Sequence, residues 1–261
     1  MTSKRIRYPW RLGAPSFVVA GDIAENVAVL APLVDAVQLL FFESRSASTL
    51  PQPIDLEFLA EQAALHDLRY TVHLPTDLRL GADDPGGRRQ AVEEIAWLTS
   101  HLAPLSPVAY DLHLLREPGL AEAQWRANLE QGLMGLAEVL GEGRRLVAVE
   151  NIDYPFALVA DLVAAAGLGR CLDLGHLVRY GHGDGHLPDG LARVAHIHYH
   201  GVERGRDHRA LTEAGEAACL GQALAAAGYS GVITLEMYSL ERLEASLALL
   251  AEAWHPFSRI E

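Results

Sequence analysis

The residues of this chain best suited to chemistry stand at the ends of its apolar runs. His73 closes Tyr-Thr-Val-His-Leu-Pro, His113 closes Tyr-Asp-Leu-His-Leu and Glu150 closes Val-Ala-Val-Glu-Asn. Asp173 and His176 follow in Leu-Asp-Leu-Gly-His, His198 in His-Ile-His-Tyr-His, and Glu236 in Thr-Leu-Glu-Met. Imidazoles and carboxylates are donors for divalent zinc, manganese or iron. One strand-end histidine is more often a hydrogen-bonded core residue than a ligand. Six such strand ends in succession point to one polynuclear metal site.

Those residues meet only if the elements carrying them run in parallel. Strand-like runs cover residues 11–17, 36–43, 69–74, 108–114, 146–152, 170–174, 194–200 and 232–237. Helical periodicity covers 24–34, 56–66, 87–101, 120–140, 155–166, 215–227 and 240–254, with Gly141 a natural stop for the fourth of these. Such alternation predicts a single-domain (β/α)8 TIM barrel over residues 1–261, with 1–10 as an N-terminal tail. A doubly wound sheet is the alternative, but Gly13-Ala14-Pro15-Ser16 is not its Gly-rich phosphate turn. In a barrel all strand C-terminal ends share one face, so ligands distant in sequence converge there. Leu146, Ala148 and Glu150 share one side of their strand. A charged Glu150 after two apolar inward residues needs a partner, and a metal is the obvious one. His196, His198 and His200 have equal parity, and register does not choose the ligand among them. His66, His101 and His255 fall on helices or their ends and read as solvated. The Gly- and His-rich stretch 179–189 reads as a lid, with His182 and His186 as lesser candidates for substrate contact.

Composition excludes several alternatives. The 261 residues are 50% hydrophobic, ample for a large core, and the net charge is −13. No apolar run reaches the roughly 18 residues of a membrane span, and the basic N-terminus lacks an apolar signal core. A soluble cytoplasmic protein without a membrane partner is expected. Nucleic acid is a poor partner, since binding it draws on clustered Lys and Arg. Lys4 is the single lysine, so neither a Schiff-base aldolase nor a P-loop can be built here. Cys171 and Cys219 lack disulfide or metal spacing and read as two buried structural thiols.

With these motifs in place, the chain resembles the xylose isomerase-like barrels, and within them the branch related to endonuclease IV. The family's strand-3 and strand-4 histidines match His73 and His113, and its bridging glutamate matches Glu150. Its Asp-x-x-His is Asp173 to His176, its strand-7 histidine is His198 and its strand-8 glutamate is Glu236. The family's Asp-x-His becomes the adjacent pair Asp207-His208, with Asp207 displaced by one position. The resemblance implies two or three divalent ions, of zinc, manganese or iron. Glu150, Asp173, His198 and Glu236 would surround one, and His73, His113 and Glu150 a second. His176 and His208, with Asp207, would hold a third.

Four carboxylates, Glu150, Asp173, Glu236 and Asp207, against the about four to six positive charges of two or three divalent ions leave a site that accepts an anionic phosphate. Ions about 4 Å apart activate water and steady the leaving oxygen of an in-line displacement. Glu150 and Glu236 are the candidate catalytic carboxylates, with Arg79, Arg206 and Arg209 as weaker candidates for a phosphate clamp. A single-metal sugar isomerase or epimerase needs only two Glu, an Asp and a His, so the further histidines favour phosphoester hydrolysis. Within the branch the chain is most similar to the cobamide-remodelling phosphodiesterases. The supporting phrases include Tyr8-Pro9-Trp10-Arg11-Leu12-Gly13, Leu40-Phe41-Phe42-Glu43-Ser44, Asp153-Tyr154-Pro155-Phe156 and Asp207-His208-Arg209-Ala210-Leu211. That resemblance implies hydrolysis of the nucleotide-loop phosphodiester of a cobamide to cobinamide phosphate and the lower-ligand riboside. Phe42, Glu43 and Tyr154 are candidate substrate contacts. The alternatives are an endonuclease IV-type nuclease, a single-metal sugar isomerase or epimerase, and a non-catalytic metal-bound barrel.

Overall fold

The apolar runs form parallel strands, and the amphipathic segments pack around them. A computed structural model describes residues 7–44, 53–183, 191 and 193–258. In chain order the first half comprises β1 (Arg11–Pro15), α1 (Ile23–Leu30), β2 (Ala36–Leu40), α2 (Pro53–His66), β3 (Arg69–His73), α3 (Pro85–Leu102), β4 (Tyr110–Leu112) and α4 (Glu122–Leu140). The second half comprises β5 (Val147–Glu150), α5 (Ala160–Ala165), β6 (Gly169–Asp173), α6 (Leu174–Tyr180), β7 (Val194–Tyr199), the hairpin β8 (Gly201–Glu203) and β9 (Arg206–Arg209), α7 (Ala214–Ala226), β10 (Val232–Leu235) and α8 (Leu240–Ala253).

Eight strands close in the order β1-β10-β7-β6-β5-β4-β3-β2, all neighbours parallel. The chain is thus a (β/α)8 TIM barrel. Local chemistry sets the helix ends. Asp22 and Glu25 form a capping box on α1, and Asp84 caps α3 ahead of Pro85. Gly141 ends α4 at φ 55°, a conformation that costs a side-chain-bearing residue more. Helix α3 buries Ala91, Val92, Ile95, Leu98 and Leu102, the stripe that its 3.6-residue period supplies. At the N-terminal end of the barrel, Trp10 packs edge-on against Trp254 at 5.0 Å, with Tyr8 5.5 Å from Trp254.

Several expectations need correcting. The helix expected over 155–166 is a 3-10 turn, Phe156–Leu158, followed by the short α5, with Val159 at φ −124° outside helical geometry between them. Helix α6 and the β8–β9 hairpin were not anticipated. Both lie within or beside Gly- and His-rich sequence that carries no clear period. Of the expected lid, Arg179 and Tyr180 end α6, and residues 184–189, His186 included, lie outside the described residues. Leu146 precedes β5 and is 41% exposed, so it does not share the inward row of Ala148 and Glu150. Cys171 is buried in β6, but Cys219 is exposed on α7. Among the described residues no helix is long and apolar enough to cross a membrane.

Candidate metal centre

Residues two apart on a strand face the same way, and here that rule stacks two polar layers. The lower layer includes Thr71, Asp111, Cys171, His196 and Thr234, and the residues two positions on are His73, His113, Asp173, His198 and Glu236. Parallel pairing sets Asp173 beside His198 and Glu150 beside Cys171. The strand ends therefore finish nearly level around one mouth.

Three groups of donors form in the upper layer, each with its ligand atoms within 4.8 Å of one another. Glu150, Asp173, His198 and Glu236 make the first, all buried; His73, His113 and Glu150 make the second; His176, His200 and His208 make the third. Glu150 belongs to two groups. Its Oε2 lies 3.5 Å from His73 Nε2, 3.2 Å from His113 Nε2 and 3.3 Å from His198 Nδ1, while Oε1 lies 3.0 Å from His176 Nδ1. His198 Nδ1 is also 3.5 Å from Glu236 Oε2 and 3.7 Å from Asp173 Oδ2. Both Glu150 oxygens, His113 Nε2 and His198 Nδ1 are buried without a directed hydrogen bond. Buried polar atoms are normally satisfied, so four orphans converging on one point fit divalent ions. Imidazole and carboxylate donors suit zinc, manganese or iron.

Backbone carbonyls orient the rings. His73 Nδ1–H donates to Leu74 O at 2.8 Å, leaving Nε2 for the centre. His208 Nδ1 lies 3.0 Å from Glu236 O, and His176 Nδ1 lies 3.1 Å from Asn151 O. Asp173 ends β6 and caps α6, accepting the His176 N–H at 2.7 Å. The cap fixes the carboxylate and starts the turn that swings His176 back over it. His208 sits at φ 52° in the hairpin, and its N–H donates to His200 Nδ1 at 3.1 Å. His200 Nε2 in turn lies 3.2 Å from Asp173 Oδ2.

The lower layer supports the upper. Asp111 Oδ2 accepts from His196 Nδ1 at 2.7 Å and from Gln38 Nε2 at 3.1 Å, and His196 Nε2 meets Thr234 Oγ1 at 2.7 Å. His198 Nε2 lies 2.8 Å from Gln38 Nε2 and 3.5 Å from Asp111 Oδ2. The Gln38 amide nitrogen can only donate, so in this arrangement the His198 proton sits on Nδ1, facing three carboxylates.

Electrostatics follow from this crowding. Burial pushes the Glu150 carboxyl up, but the imidazoles of His113 and His198 outweigh it and hold it well below the usual range. Asp173 is likewise lowered against burial by His200 and His176, and Asp111 by His196. Burial lowers His176, yet Asp173 and Glu150 raise it to about 10. Without an ion, imidazolium–carboxylate pairs neutralise the centre; divalent ions would take over that role by displacing protons.

The centre opens into a cavity of about 350 Å³ whose walls include Phe42, Asp153, Tyr180, Asp207 and Tyr238. Asp207 is thus on the wall and joins none of the three groups, where His200 stands beside His176 and His208 instead. Arg79 pairs with Glu117 at 3.1 Å, and neither Arg206 nor Arg209 lines the cavity among the described residues. Tyr154 is buried and donates to Leu114 O at 2.6 Å, which removes it from the candidate substrate contacts. Gln38, Asp111 and the role of His200 were missed in the sequence. The signal was there for Asp111: a carboxylate in an apolar run, in phase with His113.

The model of the family described as "Xylose isomerase-like TIM barrel" matches residues 33–253. No curated protein matches the chain. A D-tagatose 3-epimerase-like protein superposes with a TM-score of 0.80 at 20% identity, over 95% of this chain and 98% of that one. Endonuclease IV from Thermus thermophilus superposes with a TM-score of 0.67 at 20% identity, over 94% and 99%. An IOLI protein with a bound zinc atom superposes with a TM-score of 0.72 at 14% identity, over 95% and 99%. At these identities the likeness is one of fold.

Proposed function

Because the chain belongs to the xylose isomerase-like TIM barrel family, we propose that it is a metal-dependent phosphodiesterase. The observation that carries this reading is Glu150, whose carboxylate is shared between two donor groups while a histidine group stands alongside. A single-ion isomerase would need only Glu150, Asp173, His198 and Glu236. His73, His113, His176 and His208 would then be superfluous, yet all converge on the same mouth.

Bound divalent ions would supply Lewis acidity to a phosphoryl group and lower the pKa of water. The protein does the rest. Glu150 stays ionised through its histidine neighbours and fixes the spacing of the two groups. Glu236 and Asp173 set the net charge of the first group, and the buried lower layer keeps bulk water from the far side of the centre. Asp153 and Asp207 on the cavity wall, with the acidic surface, fit a small-molecule phosphodiester better than a nucleic acid. Among such substrates we take a cobamide as the first to test, on the sequence phrases that resemble the cobamide-remodelling phosphodiesterases.

The test is metal content together with incubation on coenzyme B12 and chromatography for cobinamide phosphate. Two or three ions per chain and a product peak are expected, with Glu150→Gln losing an ion and at least roughly 100-fold in rate. Absence of product with zinc, manganese and iron supplied sinks the cobamide reading.

A second reading, a single-metal sugar epimerase, is favoured by the two-Glu, Asp and His group and by the epimerases among the similarly folded structures. One ion per chain, with exchange of a sugar C–H proton into deuterated water, would establish it instead.

A further inference from the structure

Beside the barrel lies a second cavity, of about 420 Å³ against about 350 Å³ at the mouth. It sits between α6, the β8–β9 hairpin, the end of β7 and α7, and it shares no lining residue with the mouth. Helix α7 turns Glu216, Cys219, Leu220 and Ala223 towards it, the spacing of one helix face. Leu174 and Val178 of α6 and Val202 of the hairpin add apolar wall.

Three features indicate what this space holds. Glu213 and Glu216 are its acids, and neither Lys nor Arg lines it. Carboxylates suit the first turn of a helix without any ligand, so the acids alone decide nothing. Tyr199 adds a second feature: it is 9% exposed, it lines the cavity, and its hydroxyl makes no hydrogen bond among the described residues. A buried hydroxyl is ordinarily bonded, and the charge that reaches this one is Glu216, on the same wall. The third feature is His200, which is at once a wall of this cavity and a member of the donor group with His176 and His208. Its Nε2 lies 3.2 Å from Asp173 Oδ2, so its ring stands between the cavity and the centre.

We propose that this cavity is an effector site for a small organic ammonium ion with an apolar body, coupled to the donor groups through His200. The apolar body replaces water against Leu174, Val178 and Leu220. The ammonium faces Glu213 and Glu216, and the Tyr199 hydroxyl offers it an acceptor. A carboxylate or phosphate in the same place would meet two like charges. An occupant rests against the His200 ring, so its binding and ion binding in the donor groups change each other by one common factor. None of this depends on what the centre hydrolyses.

Calorimetry on the zinc-loaded protein tests this with three probes of similar body: 2-phenylethylammonium, 2-phenylethanol and 3-phenylpropionate. The ammonium is expected to bind at least about fivefold more tightly than the alcohol, and the propionate most weakly. Glu213→Gln/Glu216→Gln should abolish that preference. Ala223→Trp, at an exposed position on the cavity wall, should fill the space and abolish binding. Cys219 reads the location, since it is the exposed thiol on this wall and Cys171 is buried. The ammonium at ten times its Kd should slow the reaction of Cys219 with N-ethylmaleimide about tenfold. Removal of zinc by a chelator should shift the ammonium affinity at least about fivefold. Equal binding of ammonium and alcohol, or an unprotected Cys219, overturns the site. An affinity unchanged without zinc overturns the effector role and leaves a binding cavity.

Discussion

At the scale of single residues, the centre depends on where His198 keeps its proton. His198 can ligate an ion through Nδ1 only once the proton resides on Nε2. Asp111, 3.5 Å from that nitrogen, is then its acceptor, as is the Gln38 amide once turned to present its oxygen. That oxygen has no partner in the present arrangement. Asp111→Asn should therefore lower metal affinity by roughly 10–100-fold, the usual effect of losing a ligand's outer partner. Competition against a chromophoric chelator measures it; unchanged affinity would remove Asp111 from the centre. The ordinary pKa of His176, 6.5, is raised to about 10 in the fold. A raised pKa means stabilisation that is fully present below about 6.5 and lost as pH climbs toward 10. Chelator-treated protein should accordingly lose stability to urea across that window, and His176→Ala should flatten the slope. The donors in this centre were readable because charged residues in apolar runs are conspicuous. Gln38 was not, because a single amide in Val-Gln-Leu-Leu looks like any buried polar residue until its partners across the barrel are known.

At the scale of elements, α6 and the β8–β9 hairpin complete the third donor group, and they are the two elements the sequence left illegible. Helix α6 spans only Leu174–Tyr180, less than two full turns, too short to show a period. The hairpin turns on Arg204 and Gly205, both at positive φ, where the usual Asn-Gly signature is missing. By contrast β3, β5 and β10 were legible from their β-branched, apolar runs, with the ends of all three and the start of β5 misjudged. Close packing joins α6 to the neighbouring strand: a Cβ on Gly175 would overlap the His200 ring. Gly175→Ala should displace His200, cost about 1–3 kcal/mol in overpacking and reduce metal content by one ion with the barrel intact. Circular dichroism and elemental analysis on one sample decide it; full metal content would show that His200 is dispensable. Helix α4 has a similar limit, since a side chain on Gly132 would collide with the Leu80 carbonyl.

At the scale of the whole molecule, closure of the barrel rests on one seam. Seven of the eight barrel pairings join strands consecutive around the sheet and near in sequence, but β1 meets β10 across almost the whole chain. Trp254 locks that seam from below, fully buried against Trp10 and donating from Nε1 to Ala217 O at 2.6 Å. Trp254→Ala should cost about 3–5 kcal/mol, read as an earlier midpoint in chemical denaturation. A small effect would mean that the seam is held by the strands alone.

The seam also sets the order of events when the molecule is made. Its last strand leads straight into Glu236, and β10 is wedged between β7 and β1. A ribosome that has delivered His73, His113, Glu150, Asp173 and His198 has still delivered an open trough. Neighbouring strands can zip together as they emerge, but the cage around the donors has no eighth wall until β10 (Val232–Leu235) appears. Capture of an ion by a finished cage is thereby postponed until β10 has been delivered, and the final proofreading of the fold is whether that wall finds its slot.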